Sequence, residues 1–364
     1  MKKIDIKIPN NPYQVFIGSG IFNKLADFEI IKTNKNFFLV VDKNLYLNHQ
    51  EIISLFYEKL NGKKFLHVYE ATEENKSFNS LKKIFSQLIK NNFGRDTLLI
   101  SIGGGITGDI ASFAASTYSR GIKYIQVPTT LLSMVDSSVG GKTGINFGNT
   151  KNIIGSFYQP ELVLIDTNFL KTLPRDEIIC GLGEIVKYGL LIDDDFYNEI
   201  KNKLQKLFDI NNNVIEDVIK KCVQFKGDIV KNDEKEKSGL RKILNLGHTF
   251  AHAIEIEQKH NIKHGQAVIV GLACALHLSN KLNLLNDFRL EAYLPLLIKF
   301  SDSIDIQKYN PNKLYDIMKR DKKNKDAKIK FVLLKKAGQL VIDVEANKED
   351  VIYALNNGIQ YYKA

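Results

Sequence analysis

The residues that most constrain the fold are the run 97–102 (TLLISI) and the three glycines after it, Gly103-Gly104-Gly105. A short unbroken apolar run bounded by glycine reads as a strand buried on both faces. The glycines then turn the chain into a helix, which is the joint of a parallel sheet covered by helices. Strand-like segments recur at 37–42 (FFLVVD), 63–70 (KKFLHVYE), 124–127 and 162–166, with a helix-spaced stretch at 80–90 (SLKKIFSQLIK). Residues 1–173 are therefore expected to form an α/β, parallel-sheet domain. After Pro174 glycine thins out, and 177–191, 196–208, 214–230, 248–258, 265–282 and 289–300 show helical spacing. Segments 328–334 and 339–344 read as a hairpin turning at Ala337-Gly338. Residues 174–364 are expected to form a second, mainly α-helical domain. No internal repeat or low-complexity linker separates the two, so a ligand cleft at the junction is expected.

Composition narrows the function. The chain has 364 residues, 44% hydrophobic and 25% charged. That is material for about two domains of roughly 150 residues, and it excludes wholesale disorder. No apolar run approaches the ~18 residues of a membrane span, and the start, Met1-Lys2-Lys3-Ile4-Asp5, has no apolar stretch behind it, so no secretory signal is expected. Cys180, Cys222 and Cys274 are odd in number and far apart, which suits a reducing, cytoplasmic location. The net charge of +10 comes chiefly from dispersed lysine; the arginines are only Arg95, Arg120, Arg175, Arg241, Arg289 and Arg320. A lysine-rich solvated surface accounts for this better than a nucleic-acid footprint, and a locally basic cleft would suit a small anionic substrate.

Three stretches carry chemistry. Gly103 to Gly108 satisfies G-x-G-x-x-G, where glycine lets the backbone approach a pyrophosphate and the helix N-terminus supplies N–H donors. A tight strand-to-helix turn needs glycine anyway, and the acid expected about 20 residues on is replaced by Pro128-Thr129-Thr130. Asp42 ends an earlier strand and could serve a ribose or merely close a turn. In Val135-Asp136-Ser137-Ser138-Val139-Gly140-Gly141-Lys142-Thr143-Gly144, the first glycine of a phosphate-binding G-x-x-x-x-G-K-[ST] would fall on Asp136, so that motif is rejected. What remains is a glycine-rich loop presenting Lys142 either to an anion or to solvent. In Asn245-Leu246-Gly247-His248-Thr249-Phe250-Ala251-His252, two histidines share one helix face, and His264 follows. Glu184 is an acid in an apolar helical stretch. Glu184, His248, His252 and His264 are four plausible ligands for three places on a zinc-type ion. Glu255 could orient a ligand instead, His260 reads as a solvated turn residue, and Lys187 lies on the face of Glu184, where it could simply form an ion pair. The helical domain is thus the expected metal-binding one. Nucleotide, metal and scattered cations together suit hydride transfer on a metal-polarised hydroxyl of an anionic substrate.

These stretches, with KNIIGSFYQP, LKTLP, GLGEIVKYG and HGQAV, resemble the 3-dehydroquinate synthase family of sugar phosphate cyclases in the shikimate pathway. The resemblance runs from about residue 37 to Asp321-Lys322-Lys323. It implies a homodimer that uses NAD and one divalent ion, zinc or else cobalt. The implied reaction takes 3-deoxy-arabino-heptulosonate 7-phosphate to 3-dehydroquinate and phosphate, with transient oxidation at C5. Glu184, His248 and His264 would be the metal ligands, leaving His252 to face substrate. NAD would meet Asp42, Glu73, Lys76, Gly104, Gly105, Ile106, Thr107, Gly108, Asp109, Thr129, Thr130, Lys151 and the run Phe169, Leu170, Lys171, Thr172. Lys142 would stand between cofactor and substrate. Asn152, Lys142, a partner's Arg120 and one of Lys322 and Lys323 would hold the phosphate; Asp136 would also meet substrate. Lys226 and Arg241 would take the carboxylate, and Asn245 and Lys187 the ring hydroxyls. Two features depart from the family pattern: Gln266 replaces the usual Glu after His-Gly, and the Lys226–Arg241 loop is one residue longer. Another cyclase, or a metal-dependent polyol dehydrogenase, would use the same scaffold.

Overall fold

The computed structural model describes residues 1–9, 11–148, 150–259, 261–320 and 328–363. In chain order its elements begin β1 (Lys2–Ile6), β2 (Tyr13–Gly18), α1 (Glu29–Lys32), β3 (Asn36–Asp42), α2 (Lys43–Asn48), α3 (Gln50–Lys59), β4 (Lys63–Tyr69) and α4 (Phe78–Lys90). They continue β5 (Leu98–Gly103), α5 (Gly105–Thr117), β6 (Lys123–Pro128), β7 (Lys142–Phe147), β8 (Thr150–Phe157) and β9 (Leu162–Asp166). Then follow α6 (Arg175–Ile192), α7 (Asp194–Phe208), α8 (Asn212–Asn232), α9 (His248–Glu257), α10 (His264–Lys281), α11 (Asp287–Ile298), α12 (Pro311–Lys319), β10 (Phe331–Lys336), β11 (Gln339–Val344) and α13 (Lys348–Ile359). They fall into two compact units: 1–173 with 210–235, and 174–209 with 236–364. No helix among the described residues is long and apolar enough to cross a membrane.

The first unit is built on a seven-stranded sheet in the order β1-β2-β9-β6-β5-β3-β4, parallel except for β1 against β2. The middle strands are buried on both faces, as their unbroken apolar runs require. From β3 the chain moves to β4 on one side; from β5 it moves to β6 on the other. The strand order therefore reverses between β3 and β5, and ligands of open α/β sheets bind at the carboxyl ends of such strands. Asp42 ends β3 and Gly103 ends β5, at that point. Helix α4 buries Leu81, Ile84 and Leu88, spaced to fall on one face.

Two features differ from the sequence reading. Helix α8, expected in the second domain, groups with the first unit. Its apolar face covers the β1–β2 end of the sheet, where a side chain at Gly227 would meet Ile6 Cδ1 at 2.6 Å. The stretch around Lys142, expected as a loop, is the start of the β7–β8 antiparallel hairpin, with Lys142 opposite Phe157. Gly140 and Gly141, at φ 110° and 65°, make the turn into it.

In the second unit α6, α9 and α10 cross where glycine leaves the backbones bare. A Cβ on Gly265 would lie 1.8 Å from the Cys180 carbonyl oxygen, and one on Gly183 2.2 Å from that of Gly265. One on Gly271 would lie 2.3 Å from the Gly247 carbonyl oxygen. The Cys180 thiol accepts the Gly265 N–H at 3.2 Å; burial pushes this thiol up to about 12, so it is a neutral packing group. Side-chain oxygens of Asp193, Asn286, Asn310 and Asn347 cap the first turns of α7, α11, α12 and α13.

Gly265→Ala is expected to cost ~3 kcal/mol or more, because the new methyl meets fixed backbone rather than a movable side chain. Gly94→Ala, whose Cβ would meet only the Asp96 carboxylate at 3.1 Å, serves as control. Urea unfolding of the two variants checks the contrast; equal midpoints would contradict the close-crossing account.

Candidate active site

In the first unit the glycine turn is a cradle. A Cβ on Gly103 would lie 2.7 Å from Thr107, one on Gly104 2.9 Å from Thr130 Cγ2, and one on Gly105 3.1 Å from Ser137 Oγ. No side chain caps the N-terminus of α5. Among the described residues, the buried hydroxyls of Thr107 and Ser137 have no hydrogen-bond partner. Bare N–H groups, a positive helix end and idle hydroxyls on a side-chain-free floor fit a phosphate group. Thr129 N–H donates to Gly103 O at 3.0 Å, locking the β6 end against the turn.

The polar residues form clusters. Lys76, buried, pairs with Asp109 at 2.5 Å and donates to Asn152 Oδ1. Burial raises the Asp109 carboxyl, and the Lys76 ammonium opposes that rise. Asn146 joins Glu73 Oε1, at 2.9 Å, to the Asn152 N–H, also at 2.9 Å. Lys226 reaches Asp136 through its carboxylate at 2.9 Å and its carbonyl at 2.7 Å. Asp42 accepts the Leu45 N–H at 2.9 Å, so it does close a turn as well as end a strand; burial raises its carboxyl despite that bond. Lys142 and Lys151 are exposed on the hairpin, and Arg120 is exposed beyond α5 at φ 66°.

In the second unit Glu184 on α6 meets the first residues of α9 and α10. Its Oε1 lies 3.6 Å from His248 Nε2 and 3.4 Å from His264 Nε2. The other ring nitrogens are anchored: His248 Nδ1 is 3.2 Å from the Leu246 carbonyl, and His264 Nδ1 is 3.4 Å from Glu255 Oε2. Donor atoms of Glu184, His248 and His264 all lie within 4.8 Å of one another, and so do those of His252, Glu255 and His264. The first set leaves both Nε2 atoms facing one carboxylate while the Nδ1 atoms are held from behind, the arrangement of metal-bound imidazoles. A carboxylate with two imidazoles suits a zinc-type ion. Lys187 pairs with Glu184, as the plainer reading of their spacing expected. Arg241, buried, pairs with Glu236 at 3.3 Å. Asn245 ends the short helical turn Leu240–Asn245. Gln266 accepts the Lys263 N–H and donates to the Ser303 carbonyl, a pair of bonds that an ionised Glu could not make. Lys322, Lys323 and His260 lie outside the described residues.

Sequence reasoning passed over Ser137, Asn146, Glu236 and His49. None lies in a spacing that marks a ligand; only folding brings Ser137 to the glycine cradle, Asn146 to Glu73, Glu236 to Arg241 and His49 to Thr172.

The family model described as 3-dehydroquinate synthase N-terminal matches residues 66–180, and that described as 3-dehydroquinate synthase C-terminal matches 181–324. A 3-dehydroquinate synthase from Pelagibacter ubique is 41% identical over 96% of this chain and 96% of its own. The chain belongs to the 3-dehydroquinate synthase family. Its fold is that of solved sugar phosphate cyclases. A 2-deoxy-scyllo-inosose synthase, complexed with carbaglucose-6-phosphate, NAD+ and Co2+, superposes with a TM-score of 0.85 at 23% identity, over 98% of this chain and 100% of its own. A 2-epi-5-epi-valiolone synthase from Streptomyces hygroscopicus, with NAD+ and Zn2+ bound, also gives 0.85 at 23%, over 96% and 97%.

Electrostatics at the Glu184–His248–His264 cluster set a pH dependence. Burial holds His248 well below its usual value, and Lys187 pushes the same way, so the ring is neutral. Burial also opposes charge on His264, but Glu184 and Glu255 outweigh it and lift the ring to about 10 from 6.5. A raised folded pKa contributes stability that is full below pH 6.5 and lost as pH rises through about 10. The metal-free chain is expected to melt at progressively lower temperature from pH 7 to pH 10. A divalent ion entering this cluster at pH 7.5 must displace that proton, so calorimetry in buffers of different ionisation heat should show release of about one proton. Buffer-independent heat would contradict it.

Proposed function

We propose that the chain, as an enzyme of the 3-dehydroquinate synthase family, converts 3-deoxy-arabino-heptulosonate 7-phosphate to 3-dehydroquinate and phosphate. The observation that carries the reading is the joint presence of the glycine cradle on α5 and the Glu184–His248–His264 cluster, on a chain matched by both halves of the family model. NAD is the proposed cofactor at Asp42, Glu73, Lys76, the 104–109 turn, Thr129, Thr130, Lys142, Lys151 and 169–172. Zinc is the proposed ion on Glu184, His248 and His264.

NAD held by these residues would supply a hydride acceptor and donor for C5, and an ion on Glu184, His248 and His264 would make the C5 hydroxyl more acidic. The chain's own residues bind and orient. Lys142, Asn152 and Arg120 supply cationic and polar contacts for the phosphate, and one of Lys322 and Lys323 joins them in the same proposal. Lys76 fixes Asn152 and Asp109 at once, so a phosphate contact and the glycine turn are held by one buried ammonium. Asp136 holds Lys226 at two points, which restricts where its remaining N–H can be offered to the substrate carboxylate. Glu236 holds Arg241 at its Nε. Lys187 and Asn245 are assigned to ring hydroxyls and His252 to the substrate side of the metal cluster. Ketone formation at C5 acidifies the proton at C6, which lets phosphate leave by β-elimination; the departing phosphate can take that proton itself.

A homodimer is part of the proposal. The β7–β8 hairpin exposes Phe147, Ile153 and Phe157, and Phe78 packs edge-on against Phe147 at 5.8 Å. A second copy of the chain is the proposed cover for this apolar face, bringing Arg120 to the partner's site. Solvent-exposed apolar patches of this kind mark association surfaces. A cytoplasmic location completes the reading.

Phosphate release from the heptulosonate phosphate is expected with no net NADH absorbance; NADH accumulating in step with turnover would make the chain a polyol dehydrogenase instead. Lys142→Ala and His264→Ala should each cut turnover at least ~100-fold. Only the second should lose its metal, read by elemental analysis; stoichiometric zinc in His264→Ala would refute the ligand assignment. Verified heterodimers of Arg120→Ala with Lys142→Ala subunits should recover activity through one intact site, and no recovery counts against a shared site.

A further inference from the structure

We propose that His49 is a positioning residue for the dinucleotide: it clamps the segment after β3 to the segment after β9 and so sets the ribose end of the cofactor site. This rests on the nucleotide reading above. His49 ends α2, the helix that Asp42 begins, and its own N–H closes that helix on Leu45 O at 2.9 Å. Its Nε2 lies 2.6 Å from Thr172 Oγ1, 123 residues away. Its ring stands edge-on to Phe169 at 5.1 Å and 85°. Thr172 and Phe169 belong to the helical turn Thr167–Thr172. That turn is itself rigid at its root, because Asp166 accepts the N–H groups of Gly20, Phe22 and Asn168 at 2.8, 2.8 and 2.9 Å.

The tie matters because of where it runs. Strands β3 and β9 are not neighbours; β5 and β6 stand between them in the sheet. No backbone ladder joins the segments that follow them directly, and the His49–Thr172 contact spans that gap. The segments concerned carry Asp42 on one side and Phe169 to Thr172 on the other, while the strands between them carry the glycine turn and Thr129-Thr130. Thr172 Oγ1 is also within hydrogen-bond range of Phe169 O, at 3.3 Å, and the ring tautomer sets which of His49 Nε2 and Thr172 Oγ1 donates in the shorter contact. Burial lowers the His49 imidazole and Asp166 opposes this, so the ring is neutral near pH 7.

The test is titration of NAD+ into the full-length chain by calorimetry, with steady-state phosphate release alongside. His49→Phe keeps the ring against Phe169 and removes its hydrogen-bonding nitrogen; His49→Gln keeps an amide that can donate or accept at similar reach. In His49→Phe the NAD+ Kd and the KM for NAD+ should rise about fivefold to tenfold, with kcat at saturating NAD+ and metal content unchanged. His49→Gln should recover most of the affinity. Thr172→Val should weaken NAD+ binding, and adding His49→Phe to it should cost nothing more. If His49→Phe does not fold, His49→Gln against Thr172→Val,His49→Gln gives the same comparison. Unchanged NAD+ affinity in His49→Phe, or equal loss of kcat and affinity without rescue by Gln, overturns the proposal for His49 alone. Absence of saturable NAD+ binding by the wild-type chain overturns the nucleotide reading and this proposal with it.

Discussion

Three helices of the second unit touch where neither partner has a side chain. Gly183 and Gly265 seat α6 against the start of α10, and Gly247 and Gly271 seat α10 against the start of α9. Ordinary helix packing holds axes 8–10 Å apart through interleaved side chains. Bare backbones allow the first turns of α9 and α10 to reach the middle of α6, and that is what brings Nε2 of His248 and His264 to one oxygen of Glu184. Three of the four glycines adjoin a donor: Gly183 precedes Glu184, Gly247 precedes His248, and Gly265 follows His264. The close crossing and the donor cluster are therefore one feature of the sequence, and a methyl group at the crossing disturbs both.

The first unit solves a different problem with the same residue. At the carboxyl end of β5 the glycines do not bring helices together; they leave a side-chain-free floor beneath the α5 N-terminus, the proposed seat of an anion. The residues around that floor are held indirectly. Lys76 fixes two partners, Asp136 fixes Lys226, and Asn146 links Glu73 to Asn152. Lys76 and Lys226 are thus already paired with protein groups, which costs some attraction for a charged ligand but removes the entropy of ordering a long side chain when it binds.

Much of this was legible in the sequence. The buried strands β3, β5 and β9 announce themselves as apolar runs, and the long helices of the second unit by their spacing. The four metal-ligand candidates were legible too, as a histidine pair one turn apart with a third nearby and an acid in an apolar helix. Spacing alone left four candidates for three places, because the choice depends on which ring nitrogen each backbone element anchors; it was the family resemblance that named Glu184, His248 and His264. It also hid α8's allegiance: the helix is amphipathic in either unit, and only the pairing of β1 with β2 creates the surface it covers. Lys142 looked like a loop residue because the glycines before it are turn-formers, while the strand after it alternates too weakly to stand out. His49 and Ser137 are single polar residues in polar or glycine-rich stretches, and no local pattern separates them from the surface.

The central claim is that one carboxylate and two Nε2 atoms converge on a single ion. Anomalous diffraction at the zinc edge from crystals of the zinc-loaded chain tests it directly. The account predicts one peak per chain at roughly 2.0–2.2 Å from Glu184, His248 Nε2 and His264 Nε2. A peak on His252 and Glu255 instead, or none at full zinc loading, would contradict it.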